Sequence, residues 1–148
     1  MAKLPPSQTI SGLLTEARRV VLPAGIASTA APSNIAVAAR IGLGLDPWQQ
    51  DICRVTWGKA TDGTWAADTV AMSIPRQTGK TYLVAAMVFA YCLAHPGGTV
   101  AWTAHHNKVM LETFTSLKAT AGRAKVLPHV KATPSGAEYR AIEFVNGS

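Results

Sequence analysis

The chain has 148 residues, enough for one domain with a real core and too few for two ordinary ones. Apolar residues make up 48% and charged residues 15%, a balance that excludes a disordered chain and fits a packed α/β domain. Net charge is +6, from 14 Lys+Arg against 8 Asp+Glu, which favours an anionic partner such as a nucleotide or nucleic acid. The longest apolar stretch, Leu83–Leu93, is well short of the roughly 20 residues that a membrane span needs. No secretory leader pattern opens the chain. Cys53 and Cys92 belong to no metal-spaced pair and make no disulfide framework, so a reducing cytoplasm is the expected compartment.

Residues 1–44 read as an N-terminal arm or linker with short helices. Ser11 caps a short helix over Leu13–Val20, Pro23, Gly25 and Pro32 interrupt the pattern, and Asn34–Ile41 forms a second short helix that stops at Gly42. At Asp46-Pro47 the signal sharpens: an N-cap carboxylate followed by proline in the first helical position starts a helix that runs to about Trp57. Its first turn carries Trp48 and Gln49. A glutamine amide has one donor group and one acceptor, matching the N6/N7 edge of adenine, while its alternative role is that of an ordinary surface residue. Asp62-Gly63 then marks a hairpin turn.

The uncharged run Thr69–Ile74 is expected to be a buried strand. It feeds Ser73-Ile74-Pro75-Arg76-Gln77-Thr78-Gly79-Lys80-Thr81, after which an apolar helix continues to about Ala94. Strand, tight loop ending Gly-Lys-Thr, and helix is the layout of a phosphate-binding loop. Gly79 allows backbone N–H groups to close around phosphate oxygens, Lys80 adds a point charge for the β/γ-phosphates, and the Thr81 hydroxyl is a ligand for Mg²⁺. The helix N-terminus adds partial positive charge. The first glycine of the usual pattern is absent, its place held by Ile74.

The helix is apolar nearly all round and must be covered on more than one side. After His95-Pro96-Gly97-Gly98, Thr99–Ala104 reads as a second uncharged strand, implying a right-handed parallel crossover. An amphipathic helix follows from His106 or Asn107, with Val109, Met110, Phe114, Leu117 and Ala121 on its buried face and Gly122 at its end. His105 and His106 lack a third ligand at metal spacing. Val126–Val130 reads as a third strand interrupted by Pro128, and Glu138–Val145 as a half-buried strand ending in the turn signal Asn146-Gly147. No strand returns from that turn, and no apolar run ends in Asp-Glu, the acidic pair that a hydrolysing P-loop enzyme uses on Mg²⁺ and water. Residues 45–148 are therefore expected to be the N-terminal portion of a larger ATPase domain.

Several of these stretches resemble the N-terminal part of the ATPase domain of the large terminase subunit of tailed bacteriophages. They are Leu45-Asp46-Pro47-Trp48-Gln49, Asp62-Gly63-Thr64-Trp65-Ala66-Ala67, Ser73–Thr81, Ala101-Trp102-Thr103-Ala104, and Ile142-Glu143-Phe144-Val145-Asn146-Gly147-Ser148. The Pro-Arg-Gln-x-Gly-Lys-Thr form of the loop is the most specific of them. The resemblance accounts for the missing glycine at Ile74 and spans residues 45–148.

The resemblance implies a RecA-like α/β P-loop NTPase, a parallel sheet flanked by helices and here incomplete, that uses ATP and Mg²⁺ to drive DNA into the prohead. It implies a nucleotide site built from Trp48, Gln49, Pro75, Arg76, Gln77, Thr78, Gly79, Lys80 and Thr81. Within it Gln49 resembles the adenine-contacting glutamine, Lys80 the phosphate lysine, Arg76 the loop arginine that senses the γ-phosphate, and Thr81 the Mg²⁺ hydroxyl. The implied partners are double-stranded DNA, a small terminase subunit, the portal and further copies in a ring, with no membrane, in the host cytoplasm at the prohead. The Walker B acids and the nuclease of full-length relatives are not matched, so catalysis by this polypeptide alone is not expected. A DEAD-box helicase-like ATPase shares the glutamine and the Gly-Lys-Thr loop and stays open as an alternative, as does a non-catalytic piece that binds nucleic acid or another subunit.

Overall fold

Residues 17–136 and 139–148 are described by a computed structural model. In chain order they form β1 (Ser28–Thr29), α1 (Ala31–Arg40), α2 (Pro47–Thr56), β2 (Gly58–Lys59), α3 (Lys80–Ala94), α4 (Asn107–Ala121), β3 (Val130–Ala132) and β4 (Glu143–Phe144). The helix expected over Leu13–Val20 falls largely outside the described residues, and its described end, 17–20, is not helical.

α3 is the central element. It buries Leu83, Ala85, Ala86, Phe89, Ala90 and Cys92, so its apolar surface is covered on more than one side, as its composition demands. α1 packs against it and against α2. Small side chains permit that close approach: Ala31 and Ala38 of α1 and Ala86 and Ala90 of α3 all lie in one core with Ile41, Leu43, Ile52 and Trp57. The stretch before residue 45 thus contributes directly to the core. On another side the C-terminal turn closes over α3. Phe144 meets Phe89 edge to face at 5.6 Å and 89°, and Asn146 Nδ2 and Ser148 Oγ both donate to the Cys92 carbonyl at 2.9 Å. Burying two phenylalanines contributes about 1.5–3 kcal/mol each.

The sheets are two short antiparallel pairs. β1 pairs with β2, and β3 with β4. The Asp62-Gly63 turn forms as expected, with Ala60 N–H donating to the Thr64 carbonyl, Gly63 at φ 86°, and a bridge between Lys59 and Trp65. Thr64 N–H and Oγ1–H both donate to Asp62 Oδ1 and hold its pKa below the ordinary carboxylate value. The third strand begins at Val130, because Pro128 turns Leu127–His129 into a 3-10 turn. It pairs with Glu143–Phe144, so the last strand is not the unpaired edge that its hairpin signal suggested.

Thr69–Ile74 and Thr99–Ala104 differ most from expectation. Both are free of regular secondary structure, and neither makes a backbone–backbone hydrogen bond among the described residues. Val70 and Val100 are each 41% exposed, while Met72 and Ile74 rest against the core. β-branched composition measures fit to a pleated, half-buried surface, and a strand exists only where another strand accepts its ladder. No described strand pairs with either stretch, so the expected parallel crossover is not seen as a ladder among the described residues. α4 is correspondingly open: Ala121 is buried, Met110, Phe114 and Leu117 are half-buried, and Val109 is 40% exposed.

Candidate functional site

The candidate site is the loop at the N-terminus of α3, and its geometry starts at Gly79. Gly79 has φ 86°, the left-handed conformation that a Cβ disfavours, and its carbonyl accepts the first helical hydrogen bond from Leu83 N–H at 2.9 Å. Gln77 also has positive φ, 63°. These two reversals fold residues 75–79 into a tight arch in which Thr78 Oγ1 donates to the Pro75 carbonyl at 2.9 Å. Thr78 N–H closes the turn over Arg76–Gln77, and the backbone N–H groups of Arg76, Gln77 and Gly79 through Tyr82 donate to no backbone carbonyl among the described residues. A row of unpaired donors at a helix N-terminus is an anion-binding concavity.

Lys80 closes the arch from within. Its Nζ donates to the carbonyls of Ile74 and Pro75, so the ammonium stands over the loop while remaining half-buried. Arg76 and Thr81 are exposed, and among the described residues neither makes a side-chain hydrogen bond or ion pair. A free hydroxyl directly after Lys80 and a free guanidinium on the loop suit a metal-bound polyphosphate.

Gln49 reaches this loop from α2. Asp46 and Gln49 form a reciprocal capping box, with Gln49 Oε1 accepting the Asp46 N–H at 2.9 Å. The side chain is buried, and a Cβ built on Gly79 would lie 3.2 Å from its Nε2. Trp48, one residue earlier, is half-buried and packs on the core. Of the expected site residues, Thr78 and Lys80 therefore bond to Pro75, and Gln49 lies beside Gly79. Arg76, Gln77 and Thr81 stand exposed around them, and Trp48 is turned to a packing role.

Tyr82 is a residue that motif reading passes over. Its hydroxyl donates to the Gly44 carbonyl at 2.9 Å, tying the first turn of α3 to the segment that enters α2. The one available signal was its place directly after the loop, on a helix otherwise apolar.

A second concavity, about 490 Å³, lies between α3, residues 98–102, α4 and the β3–β4 pair. Phe89, Trp102, Met110, Phe114 and Ile142 line it, and no residue of the 73–81 loop does. The His105 and His106 rings lie 4.4 Å apart, and no group of three metal-ligating side chains occurs among the described residues. No helix among them is long and apolar enough to cross a membrane. Comparison with known proteins finds no matching family model, no similar curated protein and no similar solved structure.

Proposed function

We propose that Ser73–Thr81 is a phosphate-binding loop for Mg²⁺–ATP, and that the chain is the ATP-binding portion of a DNA-packaging motor of the phage terminase large-subunit kind. The observation that carries the binding reading is the set of N–H groups at Arg76, Gln77 and Gly79 through Tyr82 that are without a backbone partner among the described residues, at the N-terminus of α3 in the loop that also holds the Lys80 ammonium. The packaging role rests on the Pro-Arg-Gln-x-Gly-Lys-Thr form of the loop and the Asp-Pro-Trp-Gln stretch before it.

In this reading the loop N–H groups hold the β-phosphate oxygens, and Lys80 exchanges its bonds to Ile74 and Pro75 for the β/γ-phosphates. Arg76, exposed on the loop, would meet the γ-phosphate. The Thr81 hydroxyl, exposed and without a partner among the described residues, would be a ligand for Mg²⁺, which would supply charge neutralisation at the phosphates. The RecA-like parallel sheet belongs to the same proposal: Thr69–Ile74 and Thr99–Ala104 are the strands it would pair. So do the double-stranded DNA, portal, small-subunit and ring partners, and the location at the prohead in the host cytoplasm.

Equilibrium titration of the full chain with Mg²⁺–ATP tests the binding step. Saturable binding that disappears in Lys80→Ala is expected. Binding that is indifferent to Lys80→Ala overturns the phosphate-loop reading and leaves an ATP-independent interaction piece.

A further inference from the structure

Gln49 has two polar side-chain atoms, one bonded to the protein's own framework and the other packed against it. Oε1 is committed to the Asp46 N–H at 2.9 Å, the closing bond of the α2 capping box. Nε2 lies against Gly79, and it has no hydrogen-bond partner among the described residues. The residue is 3% exposed. Reading an adenine edge needs a donor and an acceptor presented together to N7 and N6. Oε1 keeps a second lone pair, but at 3% exposure the side chain cannot present donor and acceptor together to a base edge without leaving the capping box and its place against Gly79.

Resting on the phosphate-loop reading above, we propose that Gln49 is a positioning residue for the Gly79 turn and does not select the base. It joins the rigid first turn of α2 to the one loop residue whose left-handed conformation starts α3. The amide fills the space behind Gly79 and holds the loop N–H groups in their arch. What it sets is the affinity for the phosphates, whichever base they carry.

The test uses the full chain and three probes: Mg²⁺–ATP, Mg²⁺–GTP and inorganic pyrophosphate with Mg²⁺. Gln49→Glu keeps an acceptor for the Asp46 N–H, since glutamate serves the capping box equally, but sets a carboxylate oxygen against Gly79. Gln49→Met keeps the length and removes both polar atoms, and it serves should the buried glutamate prevent folding. Each folded variant, checked by thermal melting, is expected to bind all three probes more weakly by the same factor, about tenfold. The ATP-to-GTP affinity ratio stays at its wild-type value.

A changed ATP-to-GTP ratio, or pyrophosphate affinity left at wild type while ATP affinity falls, makes Gln49 a base-reading residue and overturns the inference. Unchanged affinity for all three probes in a folded variant overturns it as well. Failure of the wild-type chain to bind any of the three is a different result: it removes the phosphate-loop reading itself, and the inference with it.

Discussion

Lys80 Nζ donates to the main-chain carbonyl of Ile74, six residues before it, and to that of Pro75. The positive charge is thus placed over the loop by the loop's own backbone. Substituting Lys80→Met keeps the stem and removes the charge. Both carbonyls belong to a loop open to water, so the variant is expected to unfold within about 1 kcal/mol of wild type, while losing the charge-assisted bonds to phosphate, worth about 1.5–3 kcal/mol each. Calorimetric titration with Mg²⁺–ATP alongside a urea melt separates the two effects.

Gly79 and Gly63 have the same φ, 86°, in different surroundings. A Cβ at Gly63 meets nothing within 4 Å, whereas one at Gly79 would lie 3.2 Å from Gln49 Nε2. Gly63→Ala is expected to show the left-handed backbone cost alone, about 1–2 kcal/mol. Gly79→Ala should cost more in a urea melt and weaken phosphate binding besides. Equal costs for the two substitutions would show that Gln49 yields freely.

Phe144 fastens the C-terminal strand to α3 through its edge-to-face contact with Phe89, and both rings are almost fully buried. Phe144→Ala is expected to destabilise the fold by about 3–5 kcal/mol, the usual range for deleting a buried phenylalanine. Denaturant midpoints at constant slope measure it.

Burial pushes the Cys53 thiol up to about 12 from an ordinary 9.0. The folded thiol stays protonated while that of the unfolded chain ionises, so this contribution to stability is complete below pH 9.0 and is lost as pH rises toward about 12. Thermal melts from pH 8 to pH 10.5 should show a falling midpoint that flattens in Cys53→Ala. At pH 8 a thiol reagent should leave Cys53 unmodified in the folded chain and modify it in urea.

Hydrogen exchange distinguishes the two extended stretches from the helix between them. Amides of Thr69–Ile74 and Thr99–Ala104 have no backbone acceptor among the described residues and should exchange close to the rate of a free chain. Those of Phe89 and Ala90, inside α3 and buried, should exchange only on global unfolding. Strong protection at Val70 or Val100 would contradict the absence of a ladder there.

Much of the local structure was legible in the sequence because it depends on near neighbours. Asp46-Pro47 starts α2, Asp62-Gly63 turns where it should, Gly122 caps α4, and the all-round apolar run of α3 is buried on several sides. The loop composition from Ile74 to Thr81 likewise announced a tight loop and the helix start after it. Pattern could not reveal the second use of Gln49. A capping-box glutamine and a base-reading glutamine are the same residue at the same spacing, and they differ in whether the amide is buried against the protein or open to a ligand.

By itself the sequence determined the described helices, their caps and the tight turns, all set by interactions a few residues long. Only the tertiary structure decided which strands found partners. Val130–Ala132 gained Glu143–Phe144, and Ser28–Thr29 gained Gly58–Lys59, across separations that no local propensity encodes. Thr69–Ile74 and Thr99–Ala104 carry stronger β composition and remain unpaired among the described residues. The reason is physical: a helix satisfies its own backbone, whereas a strand depends on another segment being brought beside it.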